Sequence, residues 1–412
     1  MSTATATTLT SPPVTTASKV SVPVLLVLAL LSAIAPFATD LYLPAFPGMV
    51  VDLDTTATLV QFTLTAFLVG ITLGQLIFGP LSDRFGRMPP LIIGSVLCVA
   101  ASVVAVFAPT VGVLIIARLV QGLGAAAGMV IGRAIISDVS SGKAAARAFS
   151  LMMIVGGVAP VIAPLVGGFL VGPLGWRGIL AVILGLSILM LVAIIVVLKE
   201  SFPQHARHQR RAHINAGNSP FTELRTRKYI GFTATFGFAF AVMMAYISAS
   251  PFVYQDMMGM SALQYAMCFG MNALALVITS AISAKLAATR SVQALLTGGI
   301  AVLTLATIAF ALVAVSDAPV IWLAVPLFVA VASLGFVLGN GTSLALETVP
   351  HASGLGSAFL GALQFGLAAV VSPLVSLGGT MTVTPLAIVM ITCAVIASVS
   401  LLVARRGAPA RP

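Results

Sequence analysis

Charge is what this sequence lacks. Only 7% of its 412 residues are Asp, Glu, Lys or Arg, against about 25% in soluble domains. Such a chain cannot cover a water-facing surface, which excludes the two or three soluble domains its length would suggest. Cysteine is scarce too. Cys98, Cys268 and Cys393 lie inside apolar runs, with no metal-ligand spacing and no disulfide logic, and read as small buried hydrophobes. Three of the four histidines, His205, His208 and His213, crowd into one basic segment. They read as part of a solvated linker, and no metal site is expected. The signatures HExxH and GxSxG are missing, and ionisable residues are too few for a hydrolytic constellation. "SSGKAAA" (140–146) is not a phosphate loop, because Ser137 stands where its first Gly belongs and Ala144 follows Lys143. An ATP-driven pump is therefore disfavoured, and no cofactor is expected. A membrane enzyme or sensor remains the alternative from a different class.

What the chain has instead is apolar length: 59% of its residues are hydrophobic. A helix crosses the hydrocarbon in about 20 apolar residues. Twelve such runs can be drawn: 21–43, 58–80, 89–108, 111–136, 147–171, 177–198, 229–253, 262–286, 293–315, 319–343, 353–378 and 384–404. The expected fold is an all-α membrane protein with twelve transmembrane helices in two six-helix halves, 21–198 and 229–404. A Ser/Thr/Pro-rich stretch, 1–20, precedes them and reads as a disordered cytoplasmic tail. A basic cytoplasmic linker, 199–228, separates the halves, and a short tail, 405–412, follows. Net charge is +10. With both termini in the cytoplasm, 18 of the 20 Lys and Arg residues fall on the inner side, leaving Arg177 outside and Arg118 within a span. The membrane accounts for the excess charge, so no nucleic-acid partner is expected. The expected setting is the plasma membrane, with lipid around a monomer.

Two features interrupt the apolar pattern. The first is Asp40 in "ATDLYLPAFP" (38–47), at the end of the first span. An isolated charge at mid-membrane costs about 2.5–3.5 kcal/mol on insertion scales, so such a residue is expected to face the bundle interior. Ser32, Pro36 and Asp40 share one helix face, and Pro36 weakens the helix one turn before the acid. Arg118 of the fourth span falls in the same half of the bilayer, so the two groups are expected to sense each other. Two readings of each stay open. Asp40 carries a proton, or it merely ends its helix beside Tyr42 and Pro44. Arg118 is its cationic partner, or it anchors backbone carbonyls.

The second feature is "GPLSDRFGR", Gly79 to Arg87. A tight turn there is expected to need Gly79 and Gly86. Asp83 suits the positive end of a neighbouring helix. Arg84 and Arg87 are expected to face anionic lipid or to pair with an acid such as Asp138.

This second stretch resembles the signature loop G-x-L-x-D-R-x-G-R of the major facilitator superfamily of secondary transporters. "ARLVQGLGAAAGMVIGRAIISD" in the fourth span is similar to that superfamily's fourth-helix motif, through Arg118, Gln121 and Gly122. "APLVGG" (163–168) is similar to the antiporter motif G-P-x-x-G-G, with Ala163 in place of its first Gly. "ATDLYLPAFP" and "GLGSAFLGALQFG" resemble the bicyclomycin-resistance (Bcr/CflA) type of multidrug proton antiporter. The matches run from residue 38 to about 366. The second half departs from the pattern in "AKLAATR" (284–290), where Ala288 falls at the place of the loop's Asp; Lys285 and Arg290 with lipid or with Glu347 are the expected substitutes.

The resemblance implies two halves that rock about a central site, with helices 1 and 4 lining the cavity. It implies that Pro160, Pro164, Gly167 and Gly168 lie where the halves meet and bias the protein toward exchange; a packing role for them is equally open. Gly124, Gly128 and Gly132 read as a helix-packing ladder. The implied activity is proton-coupled export of small amphiphilic compounds, with the proton as coupling ion. An uptake symporter or uniporter for a small metabolite is the alternative, because the fold does not fix the function. Candidate substrate contacts are Met129, Met153, Met243, Tyr246, Asn272, Asn340 and Gln364: adaptable thioethers and a few polar groups inside spans. Each amide is as apt to brace helices as to touch ligand.

Overall fold

The structure is a computed structural model that describes residues 21–139, 142–202, 224–349, 353–375 and 382–406. The tail 1–20, most of the linker and the last residues of the chain lie outside the described residues. Within them the chain is helical apart from short connections, with no strand. The first half holds α1 (Val22–Asp40), α2 (Ala57–Phe85), α3 (Met88–Val106) and α4 (Val111–Val139). The helical stretch Gly142–Val197 follows, divided by non-helical Gly175 into α5 (142–174) and α6 (176–197). The second half holds α7 (Arg227–Pro251), α8 (Ala262–Leu286) and α9 (Val292–Ala314). The broken helix α10 (Ala324–Ser333, then Leu338–Glu347), α11 (Ser353–Leu374) and α12 (Thr384–Arg406) complete it. Eleven stretches of the described residues are long and apolar enough to cross a membrane; one of them, Ile162–Val197, holds the Gly175 division. Successive helices run in opposite directions between two ends of the bundle, called here the Asp40 end and the Arg87 end.

Local chemistry sets the helix boundaries. Thr56, Thr226, Ser261 and Ser291 accept backbone N–H groups at the starts of α2, α7, α8 and α9, which satisfies donors that a helix leaves unpaired. Gln264 completes a reciprocal capping box with Ser261. Pro89 and Pro90 occupy the first turn of α3, where a missing N–H does no harm. Gly86 stops α2 at φ 97°, a conformation that a side chain would strain. Gly79 does not help to form that turn. It lies inside α2, which continues through Pro80 to Phe85, and a methyl group there would make ordinary contact with Val130.

Three spans depart from straight helices. After Asp40 the chain forms a short 3-10 turn, Leu43–Ala45, and a second short helix, Phe46–Asp52, as Pro44 and Pro47 interrupt the ladder. Helix α7 runs into a π-helical turn, Phe252–Met257. In α10 a 3-10 turn, Leu334–Phe336, interrupts the helix expected to be continuous. Thr279 of α8 donates to the Ala332 carbonyl at that break (2.6 Å).

Small residues let the helices of the first half approach closely. A methyl group on Gly122 would overlap the Phe67 carbonyl of α2. Gly124 faces Gly94 and Cys98 of α3, and Gly128 and Gly132 face Leu31 of α1. Outside the core, large apolar side chains such as Phe107, Ile116, Val196 and Leu312 are exposed around the bundle, as lipid-facing positions require.

Candidate functional site

Asp40 is the last residue of α1 and is buried, 3% exposed. Its position follows from the residues around it. The Leu41 carbonyl packs directly on Gly167 of α5, which could not carry a side chain there. One residue on, Gly168 lies against Ala262 and Ala266 of α8. The two glycines of "APLVGG" therefore join α1 to α5 and the first half to the second. Two further bonds join the halves at this end. Gln255 donates to the Pro44 carbonyl (3.2 Å), and Gln61 to the Ser248 carbonyl (3.0 Å). Phe46 and Phe252 pack ring to ring across the same junction, 6.1 Å between centroids.

Arg118 is fully buried in α4. Its Nη2 donates to the Ala38 carbonyl and its Nη1 to Gln121 Oε1, both at 2.7 Å. Gln121 in turn donates to Ser102 Oγ (2.7 Å). The guanidinium lies over the rings of Tyr42 (4.4 Å) and Phe67 (4.3 Å), a favourable setting for a desolvated cation. Its Nε has no hydrogen-bond partner among the described residues. Asp40 and Arg118 are brought to one region, but among the described residues no ion pair within 4.0 Å links them. The cation is bound to the α1 backbone two residues before the acid.

On the second-half side, Tyr265 of α8 is fully buried and bonded to Ser250 Oγ (3.1 Å). Its ring packs against Tyr254 and Phe269. Tyr246 stacks on Phe269 and accepts from Asn272 Nδ2 (2.7 Å). Asn340 donates to Ser283 Oγ and to the Phe336 carbonyl, each at 2.8 Å. Both amides thus brace helices, α7 to α8 and α8 to the broken α10. Met129, Met243 and Gln364 are half-buried, and the Met129 carbonyl accepts from Arg133 Nε (3.0 Å). Pro164 is buried, and the helical backbone of α5 continues through Pro160. The side chains of Met153 and Pro160 lie outside the described residues. A groove of about 810 Å³ between α9 and α10 is walled by Leu305, Ala309, Trp322 and Val325; none of the predicted contacts lines it.

At the Arg87 end the loop motif builds a compact latch. Arg87 donates to Asp83 Oδ1 (2.7 Å), Ser82 Oγ (2.9 Å) and Asp138 Oδ2 (2.7 Å). Its guanidinium lies over Phe202, 4.5 Å from the ring centre. Burial works against its charge, but the carboxylates of Asp138 and Asp83 outweigh that and hold the guanidinium above its ordinary pKa. Arg84 is exposed and lies over Phe85 instead.

The carboxylate at the positive start of α3 comes from Glu200, which accepts from the backbone N–H groups of Arg87 (2.9 Å) and Met88 (3.1 Å). Sequence reasoning missed Glu200; the available signal was an acid two residues after Leu198, the last apolar residue of the sixth span. It also missed Tyr265, Ser250 and Gln61, whose neighbours are distant in sequence. In the second half, among the described residues, Lys285, Arg290 and Glu347 form no ion pair within 4.0 Å, so the substitutes expected for the missing Asp do not pair with one another.

The Major Facilitator Superfamily model matches residues 28–373. The chain is 36% identical to an uncharacterized MFS-type transporter, YdgK, of Bacillus subtilis, over 90% of this chain and 93% of that protein. It is 28% identical to a bicyclomycin resistance protein homolog of Haemophilus influenzae, again over 90% of this chain and 93% of that protein. A crystal structure of a D-xylose-proton symporter has the same fold at 15% identity, with a TM-score of 0.77 over 94% of this chain and 98% of the other. With the twelve-helix architecture and the Arg87 latch, these matches identify the chain as a member of the major facilitator superfamily, a multi-pass membrane transporter rather than an enzyme.

Proposed function

We propose that this transporter exports small amphiphilic compounds from the cytoplasm in exchange for protons. The observation that carries the reading is the placement of Asp40. A carboxyl is buried where the two halves meet, without an ion pair within 4.0 Å among the described residues. Buried in this way, a neutral acid is favoured over a carboxylate. Separation of the halves at this end would admit water and allow the charged form. Protonation is thereby tied to which end is open, which is the requirement for coupling.

In this reading the Arg87 end, rich in Lys and Arg, faces the cytoplasm, and both termini lie there. The protein works as a monomer in the plasma membrane. Each proton entering carries about 2.3 kcal/mol per 100 mV of membrane potential. Arg118 fixes the end of α1 and supplies positive potential that favours proton release. Half-buried Met129 and Met243, with Gln364, offer an adaptable apolar surface with one polar group. Asn272 and Asn340 shape that surface through the helices they brace. Export rather than uptake is supported by the resistance named for the Haemophilus relative. The test is a susceptibility panel, bicyclomycin included, on cells overproducing the protein or its Asp40→Asn variant. An exporter lowers accumulation and raises tolerance, and the variant does neither. Raised accumulation of the same compounds would instead mark an importer.

A further inference from the structure

At the Arg87 end the two halves balance charge differently. In the first half Arg87 pairs with Asp83 and Asp138, and Glu200 accepts from the start of α3. The second half carries Arg225, Arg227, Lys228, Lys285, Arg290 and Arg405 at this end, and its one acid there among the described residues is Glu347. Among the described residues none of these seven groups forms an ion pair within 4.0 Å.

Four of the cations gather where α7 meets α12. Gly231 of α7 packs on the backbone of α12: a methyl group there would stand 2.7 Å from Ala404 Cβ and 2.9 Å from the Ser400 carbonyl oxygen. One turn on, Thr235 Oγ1 lies 3.3 Å from the Ala397 carbonyl oxygen. These two contacts fix an antiparallel register. Arg227, one turn before Gly231, therefore stands level with Arg405, the residue after Ala404. Thr226 caps α7 by accepting from the Tyr229 N–H (3.3 Å), which keeps Arg225 and Lys228 beside Arg227. Arg225, Arg227 and Arg405 are exposed, and Lys228 is half-buried. Within one turn of them Ile230, Leu402 and Val403 are exposed too, which marks the seam as the border between lipid chains and headgroups.

We propose that the seam of α7 and α12 binds one anionic phospholipid of the cytoplasmic leaflet. Its phosphodiester sits between Arg227 and Arg405, and its chains lie on Ile230, Leu402 and Val403. Guanidinium forks match phosphate oxygens in pairs, and Arg225 and Lys228 add attraction for an anionic leaflet. Tyr229, the next residue, is buried and donates to the Gly356 carbonyl of α11 (2.7 Å). A headgroup held here thus braces α7, α11 and α12, as Asp83 and Asp138 hold Arg87 in the first half. The choice of leaflet rests on the proposed orientation of the bundle; the site itself does not.

The test titrates full-length protein in a nonionic detergent with short-chain phosphatidylglycerol and counts bound lipid by native mass spectrometry. One tight equivalent is expected on the wild type. Arg227→Gln and Arg405→Gln each remove a charged hydrogen bond and are expected to weaken it about tenfold. Arg84→Gln removes an exposed cation from the same end of the first half and is expected to weaken it about twofold at most. Equal weakening by all three variants would mean attraction to net charge without a site, and no weakening by the seam variants would mean no site here; either overturns the inference. Phosphatidylcholine is expected to bind about tenfold more weakly, and equal binding would overturn the preference for an anion. Glycerophosphoglycerol, the same headgroup without chains, probes a free phosphodiester. If it displaces the lipid at equal concentration, the site belongs to a soluble anion and the lipid assignment fails. No arm reads transport, so failure here leaves the export reading standing.

Discussion

The Arg118 guanidinium donates a 2.7 Å hydrogen bond to the carbonyl of Ala38, two residues before Asp40. The buried cation holds the broken end of α1 in place and, among the described residues, forms no ion pair with the acid. A guanidinium suits this task because its planar fork reaches Ala38 and Gln121 together while its faces lie on Tyr42 and Phe67. Arg118→Lys keeps the charge and loses the fork. With one charged hydrogen bond lost, it is expected to destabilise the protein by about 1.5–3 kcal/mol, read as a lower unfolding temperature in detergent. An unchanged unfolding temperature would contradict the anchoring role.

Gly167 and Gly172 make a matched pair on α5. A methyl group on Gly167 meets the Leu41 carbonyl, whereas one on Gly172 meets nothing within 4 Å. Gly167→Ala is expected to hold the Asp40 end open. Spin labels placed across α1 and α8 would report longer distances, and transport would fall at least tenfold. Gly172→Ala should match wild type in both measurements. Equal behaviour of the two variants would show that close packing at Gly167 does not control closure.

The first half of the chain was more legible in sequence than the second. Composition and apolar run length gave twelve spans because lipid demands about 20 apolar residues wherever a helix crosses. Asp40 was legible because a charge inside an apolar run is costly wherever it stands. Glu200 was not, since its partners are the N–H groups of Arg87 and Met88, more than a hundred residues earlier. The break in α10 was hidden for a related reason. Its 3-10 turn at Leu334–Phe336 contains no proline, and the Ala332 carbonyl beside it accepts from Thr279 of another helix. Gly79 misled because glycine marks turns more often than it fills a helix interior; of Gly79 and Gly86, the second alone adopts a positive φ.

Glu200 acts as a cap in trans for α3. Glu200→Ala removes the acceptor for three N–H groups, those of Arg87 and Met88 at the start of α3 and that of Phe202, with an expected loss of about 0.5–2 kcal/mol, the range for helix caps. Glu200→Gln keeps an oxygen in place and should recover part of that loss. The comparison is made by thermal unfolding. A Gln variant no more stable than the Ala variant would place the effect in the charge alone.

Gly361 of α11 faces Gln75 of α2 across the two halves. A methyl group on Gly361 would stand 2.8 Å from Gln75 Oε1. Gly361→Ala is expected to weaken contact between α2 and α11 and to slow transport several-fold. Gln75→Ala in the same chain should restore it by making room. If the double variant is as slow as Gly361→Ala alone, the defect lies elsewhere than in this contact.

The coupling role of Asp40 is tested most directly in inside-out membrane vesicles with an imposed pH gradient, acidic inside, and no ATP, using ethidium as the transported probe. Wild-type protein is expected to concentrate ethidium inside the vesicles. Asp40→Asn is expected to let it equilibrate without concentrating it. Concentration by Asp40→Asn to the wild-type level would contradict the account.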